Sequence, residues 1–314
     1  MAAAVGAFKT YESIGNREDL SDYISDISKT ETPVLAAVGT GKKCTAVFHE
    51  WQTDSLAAAS DSNAVVEAGD VTPQTSAPTT RLGNYTQILE KSLAVSSTQN
   101  AVQSAGRARE FAYQKTKRMK EIKRDLQMSV MANQGYVAGD ATTARRMRGF
   151  ESWIDVNTNY GTGGANATGP TAAATSGTAR AFTEDQLKDV VAKCWNTGAN
   201  PTTVYVGAIN KQRASTFTGR TSARQNIERT RIQGGAHVYA SDFGELKIVP
   251  NLFQPQDTAF ILNPEYASVD YLQTVGYEDL AKTGHSERGF ISLEATLCVK
   301  NPGAHGKIAD LTTS

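Results

Sequence analysis

The stretch TQNAVQSAGRAREFAYQKTKRMKEIKRDLQMSVMAN, residues 98–133, contains no proline and a single glycine, Gly106. Apolar residues recur at Ala101, Ala105, Ala108, Ala112, Met119, Ile122, Leu126 and Val130, mostly in steps of three and four. That is the period of one face of an α-helix. Ser97 or Thr98 can cap its start, and Asn133-Gln134-Gly135 supplies an end. The spacing predicts one helix about 50 Å long at 1.5 Å per residue, well beyond the average globular helix. Its outer face is strongly basic.

The 32 Lys and Arg balance the 32 Asp and Glu over the whole chain, but the two signs are segregated. Residues 1–70 carry five basic against eleven acidic side chains, and residues 98–150 carry eleven basic against four acidic. An acidic front segment lying on a basic middle segment, within or between chains, fits this split, as do two solvated faces. The overall balance argues against the whole chain being a nucleic-acid binder.

On either side of residues 98–133 the patterns differ. Upstream, residues 44–54 (CTAVFHEWQTD) and 83–96 (GNYTQILEKSLAVS) are rich in β-branched and aromatic residues, which predicts two long strands. Between them lies a small, polar stretch interrupted by Pro73 and Pro78. Such a hairpin buries little of its own surface and is marginal unless it packs on something else. Further upstream, Asp19, Leu20, Tyr23, Ile24 and Ile27 fit a short helix within an extended arm, with Pro33 as its stop. Downstream, residues 156–182 are an aperiodic Gly/Ala/Thr/Asn tract, expected to be mobile or ordered by a neighbour. FTEDQLKDVVAKCWNTGANP reads as a complete helix with a Thr183–Gln186 capping box and a Leu187, Val190, Val191, Cys194 stripe. Then come a buried strand (TTVYVG), a helix (AINKQRASTF), a polar loop at 218–235, a hairpin turning at Asp242–Glu245, a second buried strand (TAFILNP) and a long late strand (ERGFISLEATLCVKNP). The order implies an α+β fold with a mixed sheet.

Catalytic and metal templates fail one by one. His49-Glu50 would need a second histidine at position 53 for HExxH, and that residue is Thr53. On a strand the two side chains face opposite ways and cannot share a metal. GTGKK (39–43) lacks the first glycine and the Ser/Thr of a phosphate loop and reads as a turn. The Asp-Phe-Gly of residues 242–244 has no accompanying kinase motifs. Cys44, Cys194 and Cys298 are far apart, odd in number and form no CxxC, which argues against a disulfide framework or a zinc site. No apolar run is long enough to span a membrane.

The segments NREDLSDYISDISKTETPVLAAVG, HEWQTDSLAAA, NAVVEAGD, PTTRLGNYTQI, ATTARRMRGFESWI, DFGELKIVPNLF, LAKTGHSERGFISLEATLCVKNP and GAHGKIADL resemble the major capsid proteins of tailed bacteriophages with the Hong Kong 97 fold, over nearly the whole chain. The resemblance implies an N-terminal arm (1–43), an extended loop (44–96) reaching over a neighbour, a peripheral domain with a spine helix (97–182), an axial domain (183–285) and a return strand with the C-terminus (286–314). It implies self-assembly as hexamers and pentamers into an icosahedral shell in the virion, formed in the host cytoplasm around double-stranded DNA. No catalytic group, cofactor or membrane is implied. Implied partners are other copies, a portal protein and packaged DNA held by weak non-specific contact; a separate scaffolding protein or none, and decoration proteins or none, both stay open. Intersubunit contacts are expected from Glu50, Trp51, Asp54, Glu67, Asp70 and Arg81 on the loop and from Arg118, Lys120, Lys123 and Arg124 on the helix. Lys91, Asn84 and Glu67 are not assigned the Lys–Asn crosslink known in some members. Two other readings stand beside this one: an encapsulin-type nanocompartment shell, and a DNA-binding protein using the basic helix.

Overall fold

A computed structural model describes residues 27–71, 75–107, 109–217 and 238–313. The expected helix around Asp19–Ile27 and the polar loop 218–235 lie largely or wholly outside those residues. The elements run α1 (Pro33–Val38), β1 (Phe48–Thr53), β2 (Thr80–Tyr85), β3 (Gln87–Ser96), α2 (Ser97–Ala101), α3 (Glu110–Met131), α4 (Phe150–Trp153), β4 (Asn157–Asn159) and α5 (Glu184–Asn196). They continue with β5 (Thr203–Val206), α6 (Ala208–Ala214), β6 (Val238–Ser241), β7 (Gly244–Pro250), β8 (Ala259–Leu262), β9 (Ala267–Asp279), β10 (Ser286–Val299) and β11 (Gly306–Ile308).

Two hydrophobic cores organise the molecule. In the first, α3 lies on an antiparallel sheet of order β3-β10-β9. Its stripe of Ile122, Leu126, Val130 and Met131 is buried with Leu93, Ile291, Leu293 and Leu297 from the strands. The second is a six-stranded mixed sheet, β4-β11-β8-β5-β7-β6. There α5 buries Leu187, Val190, Val191 and Cys194 against Val204, Ile248 and Ile261. The Thr183–Gln186 capping box is present in full.

The single long helix expected over 98–133 is instead two. Ser96, not Ser97 or Thr98, caps the five-residue α2 by accepting from the Gln99 N–H. The chain then turns through Gly106, whose φ of +74° is left-handed. Only glycine takes that conformation at no steric cost. The helical spacing of alanines before Gly106 therefore did not make one helix, and α3 spans roughly 33 Å. Pro33 opens α1 at its first turn rather than closing a helix, a position where its missing N–H costs nothing. Residues 39–44 are not a turn. They run beside β9, where Thr40 bridges Val269 and the Cys44 N–H donates to the Tyr271 carbonyl.

The expected strand over 83–96 breaks at the fully buried Thr86. Thr86 Oγ1 donates to Glu294 Oε1, and its N–H to the Val47 carbonyl. The first half pairs with β1, the second with β10. The 156–182 tract is ordered by the chain itself. Asp310, at φ +60°, accepts from the Gly161 and Gly177 N–H groups. A β-carbon on Gly161, Gly164 or Gly177 would collide with Asp310 or the adjoining backbone, so these three glycines are a packing requirement.

Candidate assembly surface

β1 and β2 pair from Phe48↔Tyr85 to Thr53↔Thr80, forming a hairpin whose two ends differ in character. At the base, every large side chain engages its own subunit. Trp51 Nε1 donates to the Val299 carbonyl at 2.9 Å, and its ring lies 5.6 Å from that of Trp153. Phe48, Tyr85 and Tyr136 form an aromatic trio. The fully buried Asn84 donates to the Arg148 and Leu297 carbonyls and accepts from the Arg148 N–H. Burial lowers the pKa of Arg148, whose guanidinium sits 4.4 Å from the Trp153 ring centre and donates to the Ser152 carbonyl. His49 turns to the opposite strand face from Glu50, with its Nε2 3.1 Å from Asp270 Oδ2.

Beyond Thr53 the pattern inverts. Residues 54–71 and 75–79 contain no residue that is even half-buried. They include Leu56, Val65, Val66 and Val71, exposed by 98, 89, 78 and 85%. The sequence reading took this segment for a tip of small polar residues and missed these four. The signal was the pair of valines inside NAVVEAGD. Of the acidic residues expected to make contacts, Asp54, Glu67 and Asp70 are exposed here. Among the described residues, Asp54 and Asp70 accept only from the N–H of the following residue. Glu50 and Arg81 pair with each other across the hairpin.

The outer face of α3 divides similarly. Arg118 is paired with Glu121 at 2.6 Å, and Arg124 stacks over Phe253 at 5.5 Å. Lys120 and Lys123 are exposed and, like Lys117, form no ion pair among the described residues. Lys120 and Lys123 border an open groove between α3 and β9, whose floor includes Met119, Tyr271 and Val275. Thus the structure gathers Lys120 and Lys123 at one groove, places Asp54, Glu67 and Asp70 on the projecting tip, and turns Trp51 inward. Lys91 and Asn84 are both engaged, Lys91 with Asp125 at 2.7 Å. No described helix is long and apolar enough to cross a membrane.

Solved structures that share this fold include phage capsid subunits. The chain aligns with a subunit of the cyanophage A-1(L) capsid at a TM-score of 0.67 and 14% identity, covering 97% of this chain and 99% of that one. It aligns with the capsid subunit of cyanophage P-SCSP1u at 0.63 and 10% identity, covering 95% and 94%. In sequence, the major capsid protein of Escherichia phage Phieco32 is 28% identical over 344 aligned positions, 95% of each chain. These likenesses define the class: an α+β subunit with the Hong Kong 97 capsid fold. Residues 6–312 match the SU10 major capsid protein family, and the chain belongs to that family. Its role is therefore structural, as a major capsid protein of the virion shell that assembles into a multimeric lattice. An encapsulin shell is not favoured.

Proposed function

We propose that the subunit assembles as hexamers and pentamers in which each hairpin tip, residues 54–79, lies across the α3 face of a neighbour. The observation that carries this reading is the pairing of opposites on one chain. The tip holds Asp54, Asp61, Glu67 and Asp70 and no Lys or Arg, while α3 presents Lys117, Lys120 and Lys123 without ion-pair partners among the described residues. Exposed charge pairs contribute only about 0.2–1 kcal/mol each, so they set register and approach. The apolar tip residues supply most of the adhesion. The retained contacts are Asp54, Glu67 and Asp70 on the tip and Lys120 and Lys123 on α3. Glu50, Arg81, Arg118 and Arg124 enter through the pairs they already form, and Trp51 holds the hairpin to its own subunit. The shell forms in the host cytoplasm and encloses double-stranded DNA through weak non-specific contact. A portal protein completes the particle.

Replacing Lys120 and Lys123 together by glutamate tests the reading. The expected result is a subunit with unchanged helical circular dichroism that fails to form shells near 0.15 M salt. Normal particles by electron microscopy would show that these charges are merely solvated.

A further inference from the structure

The base of the hairpin brings together three side chains that no sequence motif connects. His49 on β1, Asp270 on β9 and Cys298 on β10 place one imidazole nitrogen, one carboxylate oxygen and one thiol sulfur within 4.8 Å of one another. We propose that these three residues form a metal site for a borderline-soft divalent cation of the zinc class, pinning the hairpin to the central sheet.

The donor set selects the cation. Imidazole and thiolate suit zinc and its neighbours, whereas calcium and magnesium demand oxygen ligands. Zinc bonds of about 2.0–2.3 Å in a tetrahedron separate the ligand atoms by roughly 3.3–3.8 Å. The His49–Asp270 separation of 3.1 Å already matches that scale, and the sulfur needs to close by about an ångström.

The site is also built around its ligands. Asp270 is buried, and Ser268 Oγ donates to its Oδ1 at 2.8 Å, leaving Oδ2 to face His49. Outer hydrogen bonds of this kind orient a ligating carboxylate. Cys298 is buried beside it. Water is the candidate for the fourth position. Binding displaces the Cys298 thiol proton, as metal sites generally do.

The test uses the full-length free subunit, stripped with chelator and titrated with Co2+ alone. The expected result is one Co2+ per subunit, with tetrahedral ligand-field bands, a thiolate-to-cobalt absorption, and displacement by Zn2+. Cys298→Ser should abolish the thiolate band. His49→Gln should weaken binding by more than roughly 100-fold, beyond the loss from removing a supporting residue. Cys194→Ser, in the other core, should leave both intact. Zn2+ should raise the Tm of the parent but not of Cys298→Ser. No stoichiometric Co2+ binding by the parent, a thiolate band that survives Cys298→Ser, or an equal Zn2+ effect on both Tm values would overturn the site. Because the readouts come from the free subunit, they are independent of how hairpins lap in a shell.

Discussion

Converting Leu56, Val65, Val66 and Val71 together to serine perturbs the proposed tip contact while leaving its four acidic residues in place. In the isolated subunit these side chains are 78–98% exposed, so each has nearly its full apolar surface to lose to a neighbour. Complete burial contributes about 1.5–3 kcal/mol per side chain, or roughly 6–12 kcal/mol for the set. Ordering of the tip backbone is common to parent and variant and cancels in the comparison. If the neighbour covers half of this surface, the loss is about 3–6 kcal/mol per contact. At 1.4 kcal/mol per factor of ten, that weakens each contact by roughly 100-fold or more. The free subunit should be indifferent, since substitutions of exposed residues fall within about 0.5 kcal/mol. The assay is shell formation against protein concentration, by light scattering and electron microscopy, with urea unfolding of the subunit as control. The critical concentration should rise by orders of magnitude while the unfolding midpoint stays put. Neutralising Asp61 and Glu67 instead should cost far less, because exposed pairs are worth under about 1 kcal/mol each. A quadruple variant that assembles at the parent's concentration would refute the tip contact.

Trp51→Ala should destabilise the free subunit by about 3 kcal/mol in urea unfolding, the lower end for such truncations because the ring is only partly buried. Its bond to Val299 and contact with Trp153 are both lost, so an unchanged midpoint would mean that the base is not held there. His305 predicts acid sensitivity: burial lowers its pKa to about 4 from an ordinary 6.5, and its Nδ1 accepts from the Asn263 N–H. With the folded value depressed, its contribution is fully present above pH 6.5. It is lost as the pH falls towards 4, at up to about 1.4 kcal/mol per pH unit. Replacing His305 by glutamine should flatten the stability–pH curve of the free subunit in that window and nowhere above it.

Features encoded locally were legible in the sequence. The stripe of α3 from Ile122 to Val130, the Thr183–Gln186 cap and the all-buried strands β5 and β8 each depend on residues within one element. Features fixed by distant pairing were not. The 13-residue β9 was missed: Gly276 interrupts its pattern, and its register against β10 shifts near Glu294. β4 and β11 have three residues each and exist only through their partners. The break at Gly106 is a local signal that the surrounding alanine spacing outweighed. For the surface, the charge segregation pointed to the tip and the helix, but not to which arginines are already paired within the subunit. Cysteine spacing counted against a metal site because a motif search sees neighbours in sequence. Position 49 meets positions 270 and 298 only after the β1–β2 hairpin is seated on β9 and β10.

The two ends of the hairpin explain one another. A projecting ribbon of two strands is marginal alone, and six paired positions cannot hold its direction without help. The base supplies that help through Trp51 on Val299, Asn84 on Arg148 and Leu297, and His49 on Asp270. These attachments all join the hairpin to its own β9, β10 or α4 region, so the direction of the ribbon is fixed before any neighbour arrives. Among the described residues the tip bonds only within the hairpin, and its apolar residues stay exposed. A lattice needs this division. If the tip packed on its own subunit, contacts would compete with folding; if the base were loose, the tip's adhesion would be spent on aligning it. In the proposed arrangement, with the base fixed and each tip contact modest, misplaced subunits can leave, and closure of the shell then multiplies the contact around its symmetry.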